Sequence, residues 1–274
     1  MARISRDWAL YARLFLLWNI IVIRQTILKA LNRLGYHLIR TIPPGPATPN
    51  QALPDAECYQ PFFCPWYRDE AFNRAFSLAS PMTIVTIDRC HILWTLADQS
   101  MSVAGDFWEC GVYKGGTARL LAESIVTRSS DKHLHLFDTF GGMPVTGPDD
   151  FHEEGDFFDT SLDAVRHTVG HSEFVHFHSG KIPDTFNSHD DHPIAFAHVD
   201  VDIYQSVLDC CHHIYPRLSP GATMVFDDYG FASCPGARKA VDEFFRDKPE
   251  RPLVLPTAQA VVVRLDALRT NVGA

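Results

Sequence analysis

No Cys-x-x-Cys pair occurs in the 274 residues, and the cysteine count, seven, is odd. Both facts argue against a disulfide framework and a zinc knuckle. Cys58, Cys64, Cys90, Cys110, Cys210, Cys211 and Cys234 read instead as small apolar side chains in a reducing compartment, which predicts a cytoplasmic protein. Gly-x-Gly-x-x-Gly is missing, and so is Gly-Lys-Ser/Thr, so neither the dinucleotide fingerprint nor a phosphate-cradling P-loop is present. No internal repeat is visible. No apolar run reaches the roughly 20 residues of a membrane span. The longest candidate, residues 8–23, is interrupted by Arg13 and Asn19. It is followed by Arg24, Gln25 and Lys29, not by the small residues of a signal-peptide cleavage site. A basic surplus is also lacking: 33 acids face 24 Lys and Arg, for a net charge of −9. Such a body is a poor nucleic-acid binder, because phosphate contacts need clustered Lys and Arg. It is better suited to gathering a cation.

The charge is unevenly spread. Residues 1–40 hold seven Lys/Arg against one acid, Asp7, a charge of +6, and the remainder carries −15. Ile27, Leu28, Leu31 and Leu34 recur at helical spacing. The apolar stripe fits a helix packed on its own body or on a second subunit. The mixture of Trp8, Tyr11 and Trp18 with basic residues also fits a peripheral helix on an anionic membrane surface. A true span is the third alternative. Residues 41–66 contain seven prolines, a density no regular element survives, and read as a linker. Residues 67–274 are expected to form the main domain, with a helical cap at 67–104 and a core at 105–266.

Helices are predicted over Arg68–Leu78 and Ile87–Ser100. Strands and helices then alternate. Strands are expected at Phe107–Cys110, His133–Phe137, Phe174–His178, Ile194–Val199 and Ala222–Phe226, with helices at Thr117–Thr127, Ser161–Val169, Ser206–Tyr215 and Gly236–Asp247. Leu253–Leu255 and Ala260–Leu265 close the series. Short buried strands alternating with helices mean an α/β fold, a mainly parallel sheet with helices on both faces. In such sheets ligands sit beyond the carboxyl ends of the strands.

Those ends carry glycines and acids. The first strand runs into Glu109-Cys110-Gly111-Val112-Tyr113-Lys114-Gly115-Gly116-Thr117, a turn that lets a ligand approach the next helix's first N–H groups. The second ends at Asp138, placed to bind the ribose of an adenosine cofactor, nicotinamide-linked or S-adenosylmethionine. The fourth ends in Asp200-Val201-Asp202 and the fifth in Asp227-Asp228. Neighbouring strands ending in acids make an oxygen-rich cluster of the kind that takes Mg²⁺ or Mn²⁺. Asp200 and Asp202 share a face if the strand continues and diverge if the chain turns after Asp200. His176 and His178 share a face of the third strand, as ligands or as a hydrogen-bonded structural pair. His212 and His213 are expected at the surface. The acidic stretch Asp149–Asp159, with His152, reads as a solvated loop near an acceptor.

Taken together, GDFWECGVYKGGTARLL, LFDTFGGMP, GKIPDTF, HVDVDIYQSVLDCC, YPRLSPGATMVFDDYG and GARKAVDEFF resemble the macrocin O-methyltransferase family, in family order through residues 105–245. Weaker similarity covers Ser80–Leu96. Two departures stand at Gly141, where the family often has Glu, and at Ala222, where it usually has Gly. The resemblance implies a Rossmann-like class I methyltransferase with a seven-stranded sheet. It implies S-adenosylmethionine contacts from Glu109, Gly111, Tyr113, Gly115, Thr117, Asp138 and Gly180, with Met82 and Thr83 closing over the cofactor. It also implies Mg²⁺ on Asp200, Asp227 and Asp228, Asp202 as general base, and a sugar-bearing hydroxyl acceptor. Two other classes remain at this point: a non-catalytic scaffold on the same fold, and a nicotinamide-dependent dehydrogenase.

The basic N-terminus supplies a first test. The membrane reading predicts that removing residues 1–40 raises solubility and reduces sedimentation with anionic vesicles. Aggregation or loss of the native oligomer in the shortened chain would show that the segment is core or interface.

Overall fold

The computed structural model describes residues 64–186 and 192–265. Expectations for residues 1–40 and for most of the Pro-rich stretch lie outside them. The described residues fall within one compact unit. No helix among the described residues is long and apolar enough to cross a membrane.

The helical cap comes first. A 3₁₀ turn at Pro65–Arg68 precedes α1 (Glu70–Ala79). The helix starts two residues later than the periodicity predicts, because the Asp69 carboxylate caps it, accepting the Phe72 N–H at 2.9 Å. After α2 (Ile87–Ser100) come β1 (Asp106–Cys110), α3 (Gly116–Thr127), β2 (Leu134–Asp138), α4 (Leu162–Val169), β3 (Val175–Ser179), β4 (Ile194–Val199), α5 (Tyr204–Ile214), β5 (Leu218–Phe226), α6 (Pro235–Phe245), β6 (Leu253–Val254) and β7 (Ala260–Val263).

The seven strands form one sheet in the order β3-β2-β1-β4-β5-β7-β6. β1 to β5 are parallel, and β7 runs antiparallel to both β5 and β6. Alternate side chains face opposite ways, and both faces are buried. Phe107, Leu134, Leu136 and Phe196 pack with Leu93, Leu121 and Val165 of α2, α3 and α4. Trp108, Phe137, Ala197 and Met224 pack with Val207 and Cys210 of α5 and Val241 of α6. α1 adds a third cluster, Phe72 and Ala75 against Trp94 and Leu120.

β5 begins four residues earlier than expected. Ser219, Pro220 and Gly221 form an irregularity within the strand. Ile194 pairs with Leu218 and Phe196 with Thr223, so the extra residues bulge out of the ladder. Two histidine expectations resolve. His176 meets His133 at 2.7 Å and His178 meets His135 at 3.1 Å, a hydrogen-bonded ladder across β2 and β3. His213 is half-buried, not superficial, and stacks on Phe186 with ring centres 4.4 Å apart, while His212 is exposed. Among the described cysteines all are free thiols, and every one but Cys64 is buried.

Glu250 fastens the sheet's far edge. Its buried carboxylate accepts the Tyr215 hydroxyl at 2.6 Å, Arg264 Nη1 at 3.0 Å and the Leu265 N–H at 3.1 Å. Burial pushes its pKa up, but the Tyr215 and Leu265 hydrogen bonds and Arg264 outweigh it and hold the carboxyl below its ordinary 4.5. A depressed folded-state pKa contributes stability that is present above the ordinary value and lost as pH falls through the folded one. Glu250→Gln should therefore cost about 1–3 kcal/mol at neutral pH. The gap should close below about pH 4.5. Urea midpoints of both proteins across that range measure it, and a gap that widens in acid contradicts the assignment.

Candidate active site

The strand order reverses between β1 and β4, which opens a crevice at their carboxyl ends. The two ends touch there. Gly111 has φ +84°, and a Cβ on it would stand 1.7 Å from the Asp200 carbonyl oxygen, so only glycine fits. A Cβ on Gly116 would come within 2.5 Å of Thr83, so the chain at Met82–Thr83 lies directly on the first turn of α3. Asp138 organises the loop between. One carboxylate oxygen accepts the N–H groups of Val112 and Tyr113 at 2.7 and 2.9 Å, and the other accepts Phe140 N–H at 2.7 Å. The carboxylate at the end of β2 thus fixes the glycine turn at the end of β1.

A cavity of about 280 Å³ follows from this arrangement. Met82, Thr83, Gly111, Tyr113, Thr117, Asp138 and Gly180 line one part of it, and Asp200, Asp202 and Asp228 line another. The segment at 143–160 folds over it, held by Tyr113 Oη and Lys114 Nζ on Asp159 at 2.7 and 2.5 Å. Of the residues expected in the site, Glu109, Gly115 and Asp227 stand behind this wall. Glu109 is fully buried and meets His198 Nδ1 at 2.8 Å. Gly115, at φ +84°, packs against Val165 and Val169.

The acids at the ends of β4 and β5 fall into two groups. β4 stops at Val199 and the chain turns, with Asp202 at φ +57° and the Ile203 N–H donating to the Val201 carbonyl at 2.6 Å. Asp200 and Asp202 therefore diverge. Asp200 shares a group with Asp227 and His198 whose ligand atoms lie within 4.8 Å of one another, while Asp202 meets His152 and Cys234. Asp228 lies between, accepting the Asp202 N–H at 3.0 Å.

Two cations balance part of this charge, and sequence reading missed both. Arg89, from α2, ion-pairs with Asp227 and lies 4.8 Å from the centre of the Phe231 ring. His198 stands between Glu109 and Asp227. Burial alone would lower its pKa, but those two carboxylates outweigh it and hold the imidazole well above its usual range. Asp227 is pushed up by burial, yet His198 and Arg89, with Gln259 donating to it at 2.7 Å, keep it below the ordinary carboxylate value. Burial first, then repulsion from neighbouring acids, raises Asp200 and Asp228 far above the usual range. At Asp200, His198 and Arg89 offset the rise only in part, and at Asp228 the Asp202 N–H does the same. Two buried carboxylates that repel each other, beside a third already compensated, suit a hard divalent cation.

The residues 79–256 match the profile of the family described as Macrocin-O-methyltransferase (TylF). The demethyldecarbamoylnovobiocin O-methyltransferase of Streptomyces niveus is 27% identical over 194 residues, 65% of this chain and 73% of that protein. The mycinamicin III 3''-O-methyltransferase of Micromonospora griseorubida is 32% identical over 162 residues, 53% of this chain and 62% of that protein. Among solved structures, the O-methyltransferase NovP superposes with a TM-score of 0.61 at 25% identity, over 68% of this chain and 83% of that one. CalS11, a calicheamicin methyltransferase, shares the fold with a TM-score of 0.55 at 19% identity, over 74% and 95% of the two chains.

The charge balance is testable without any substrate. Removing one member of a buried ion pair strands the other, at a cost of about 3–5 kcal/mol. Arg89→Met should show that loss in metal-free buffer, and millimolar Mg²⁺ should restore part of it, because a bound cation would replace the positive charge lost beside Asp227. Thermal unfolding with and without Mg²⁺ reads both effects. A variant as stable as the parent would show that Arg89 does not compensate Asp227.

Proposed function

The chain belongs to the macrocin O-methyltransferase family, and on that premise we propose that it is an S-adenosylmethionine-dependent O-methyltransferase acting on a hydroxyl of a sugar-bearing small molecule. One observation carries the reading: the glycine loop, Asp138 and the carboxylates of Asp200, Asp202 and Asp228 all line the same cavity. A nicotinamide dehydrogenase has no use for such a cluster, and a scaffold has no use for its mutual repulsion.

S-adenosylmethionine, when bound, supplies an already electrophilic methyl group. Met82, Thr83, Gly111, Tyr113, Thr117, Asp138 and Gly180 are the residues that would hold it. Asp138 would do so while fixing the loop, since each carboxylate oxygen has more than one lone pair. Glu109 and Gly115 would act from behind, the first by orienting His198 and the second by admitting the start of α3.

Mg²⁺ or Mn²⁺ held by Asp200, Asp227 and Asp228 would supply the positive charge that makes a weakly acidic sugar hydroxyl easier to deprotonate. Asp202 takes that proton. Burial raises its pKa, which strengthens it as a base near neutral pH. The Asp228 carboxylate, bonded to the Asp202 N–H, fixes its position relative to the cation ligands. Arg89 and His198 keep Asp227 ionised, and the 143–160 segment limits access of water.

Three measurements test the proposal. Calorimetry should detect S-adenosylmethionine binding and no NAD binding. Formation of S-adenosylhomocysteine should be followed with glycosides such as demethyldecarbamoylnovobiocin and mycinamicin III, and chelation should abolish it until Mg²⁺ is returned. Asp202→Asn should lower kcat by about 10²–10⁴-fold with cofactor affinity and Mg²⁺ requirement unchanged, as expected for a general base. Asp200→Asn should also weaken the apparent affinity for Mg²⁺. Full turnover after exhaustive chelation would remove the metal from the mechanism, and the opposite pattern in the two variants would exchange their roles.

A further inference from the structure

His152, Asp202 and Cys234 come from three separate segments: the stretch folded over the cavity, the turn after β4, and the N-cap of α6. Their ligand atoms form a closed triangle. Cys234 Sγ lies 3.4 Å from Asp202 Oδ1 and 3.8 Å from His152 Nε2, and His152 Nε2 lies 3.7 Å from Asp202 Oδ1. Zinc bonds of about 2.0 Å to nitrogen and oxygen and 2.3 Å to sulfur, at tetrahedral angles, space ligand atoms about 3.3–3.5 Å apart. The triangle meets that spacing with shifts of a few tenths of an ångström. The other imidazole nitrogen, Nδ1, is already held by Asp156 Oδ2 at 3.0 Å, the carboxylate–histidine arrangement that orients a zinc ligand and fixes its tautomer. All three side chains line the cavity, so water can complete the coordination.

We propose that His152, Asp202 and Cys234 form a second cation site, for a borderline divalent metal such as Zn²⁺, separate from the oxygen cluster at Asp200, Asp227 and Asp228. The two sites differ in chemistry. A thiol and an imidazole select against Mg²⁺, whereas an all-carboxylate set favours it. Occupation would pin the 143–160 segment to the 231–234 turn across the cavity. In the catalytic reading above it would also withdraw Asp202 from its work as base, making the site inhibitory. That consequence rests on the proposed role of Asp202, and the cation site does not. Burial, then the charge of Asp228, pushes the Cys234 thiol far up, so the free site carries a neutral thiol. Binding must therefore release its proton, and affinity must rise with pH.

The full-length chain, with Mg²⁺ in excess to fill the oxygen cluster, is titrated with Co²⁺ as a spectroscopic substitute for Zn²⁺. One equivalent should generate a near-ultraviolet cobalt–thiolate charge-transfer band, displaced by Zn²⁺, and calorimetry in two buffers should record proton release. Cys234→Ser should abolish the band, and His152→Ala should abolish saturable binding. Asp156→Asn, which keeps the side chain's shape and its half-exposed position, should weaken binding by about 10–100-fold. No band from folded protein overturns the proposal. So does a band that survives Cys234→Ser, or binding lost only when the His133–His176 ladder is altered. Because no methyl acceptor is needed, failure here leaves the methyltransferase reading intact, and failure of that reading leaves this result standing.

Discussion

A guanidinium buried against a buried carboxylate makes this site affordable. Arg89 and Asp227 are 10% and 0% exposed at their side chains, and without the first the second would be an ionised group sealed from water. His198 and Glu109 repeat the device one step deeper, also at 0% exposure. These two pairs let four strand ends converge on acids without collapse of the core. They also leave Asp200 and Asp228 crowded together and reluctant to ionise, on the cavity side, where a cation can reach them and stabilise the charged form. The asymmetry matters. Had every acid been paired internally, the crevice would be inert, and had none been paired, the carboxylates would be protonated and poor ligands.

The second constraint is steric. The strand order reverses at β1 and β4, so their ends must approach closely for the crevice to have a floor. Gly111 permits that approach, and Asp138 then spends its oxygens on the loop's own N–H groups. Gly116 does the same for the chain at Thr83, which arrives from the helical cap. The cap is thereby part of the site, contributing Arg89 from below and Met82–Thr83 from the side. The loop at 143–160 closes the remaining side through Asp159, which links it to the same glycine turn.

The strands, the glycine loop and the acids at the strand ends were legible because each signal is local: hydrophobic period, turn residues, and charge where a buried run stops. Arg89 was not legible. It occupies one polar position of an amphipathic helix, and nothing nearby in sequence distinguishes it from a solvated arginine. Only the fold brings it to Asp227, 138 residues away. Gln259 and the Glu109–His198 pair escaped for the same reason. His152 was visible as part of an acidic loop, but its meeting with Cys234 depends on how that loop folds back. The bulge in β5 failed differently. Pro220 and Gly221 are strong turn residues, and tertiary pairing on both sides overrode the local preference.

Where the chain turns after β4 decides how the two neighbouring acids divide their work. A continued strand would have put Asp200 and Asp202 on one face, competing for one cation. The left-handed backbone at Asp202 separates them instead. Asp200 stays with the oxygen cluster, and Asp202 turns toward an imidazole and a thiol. A non-glycine residue held at positive φ is uncommon and costs energy that its surroundings must supply. Here the supplier is Asp228, whose carboxylate receives the Asp202 N–H. The same acid thus belongs to the carboxylate cluster and props the residue proposed as base beside it. A change at Asp228 would act on both at once, so the two functions cannot be read as independent even though their ligand chemistries differ.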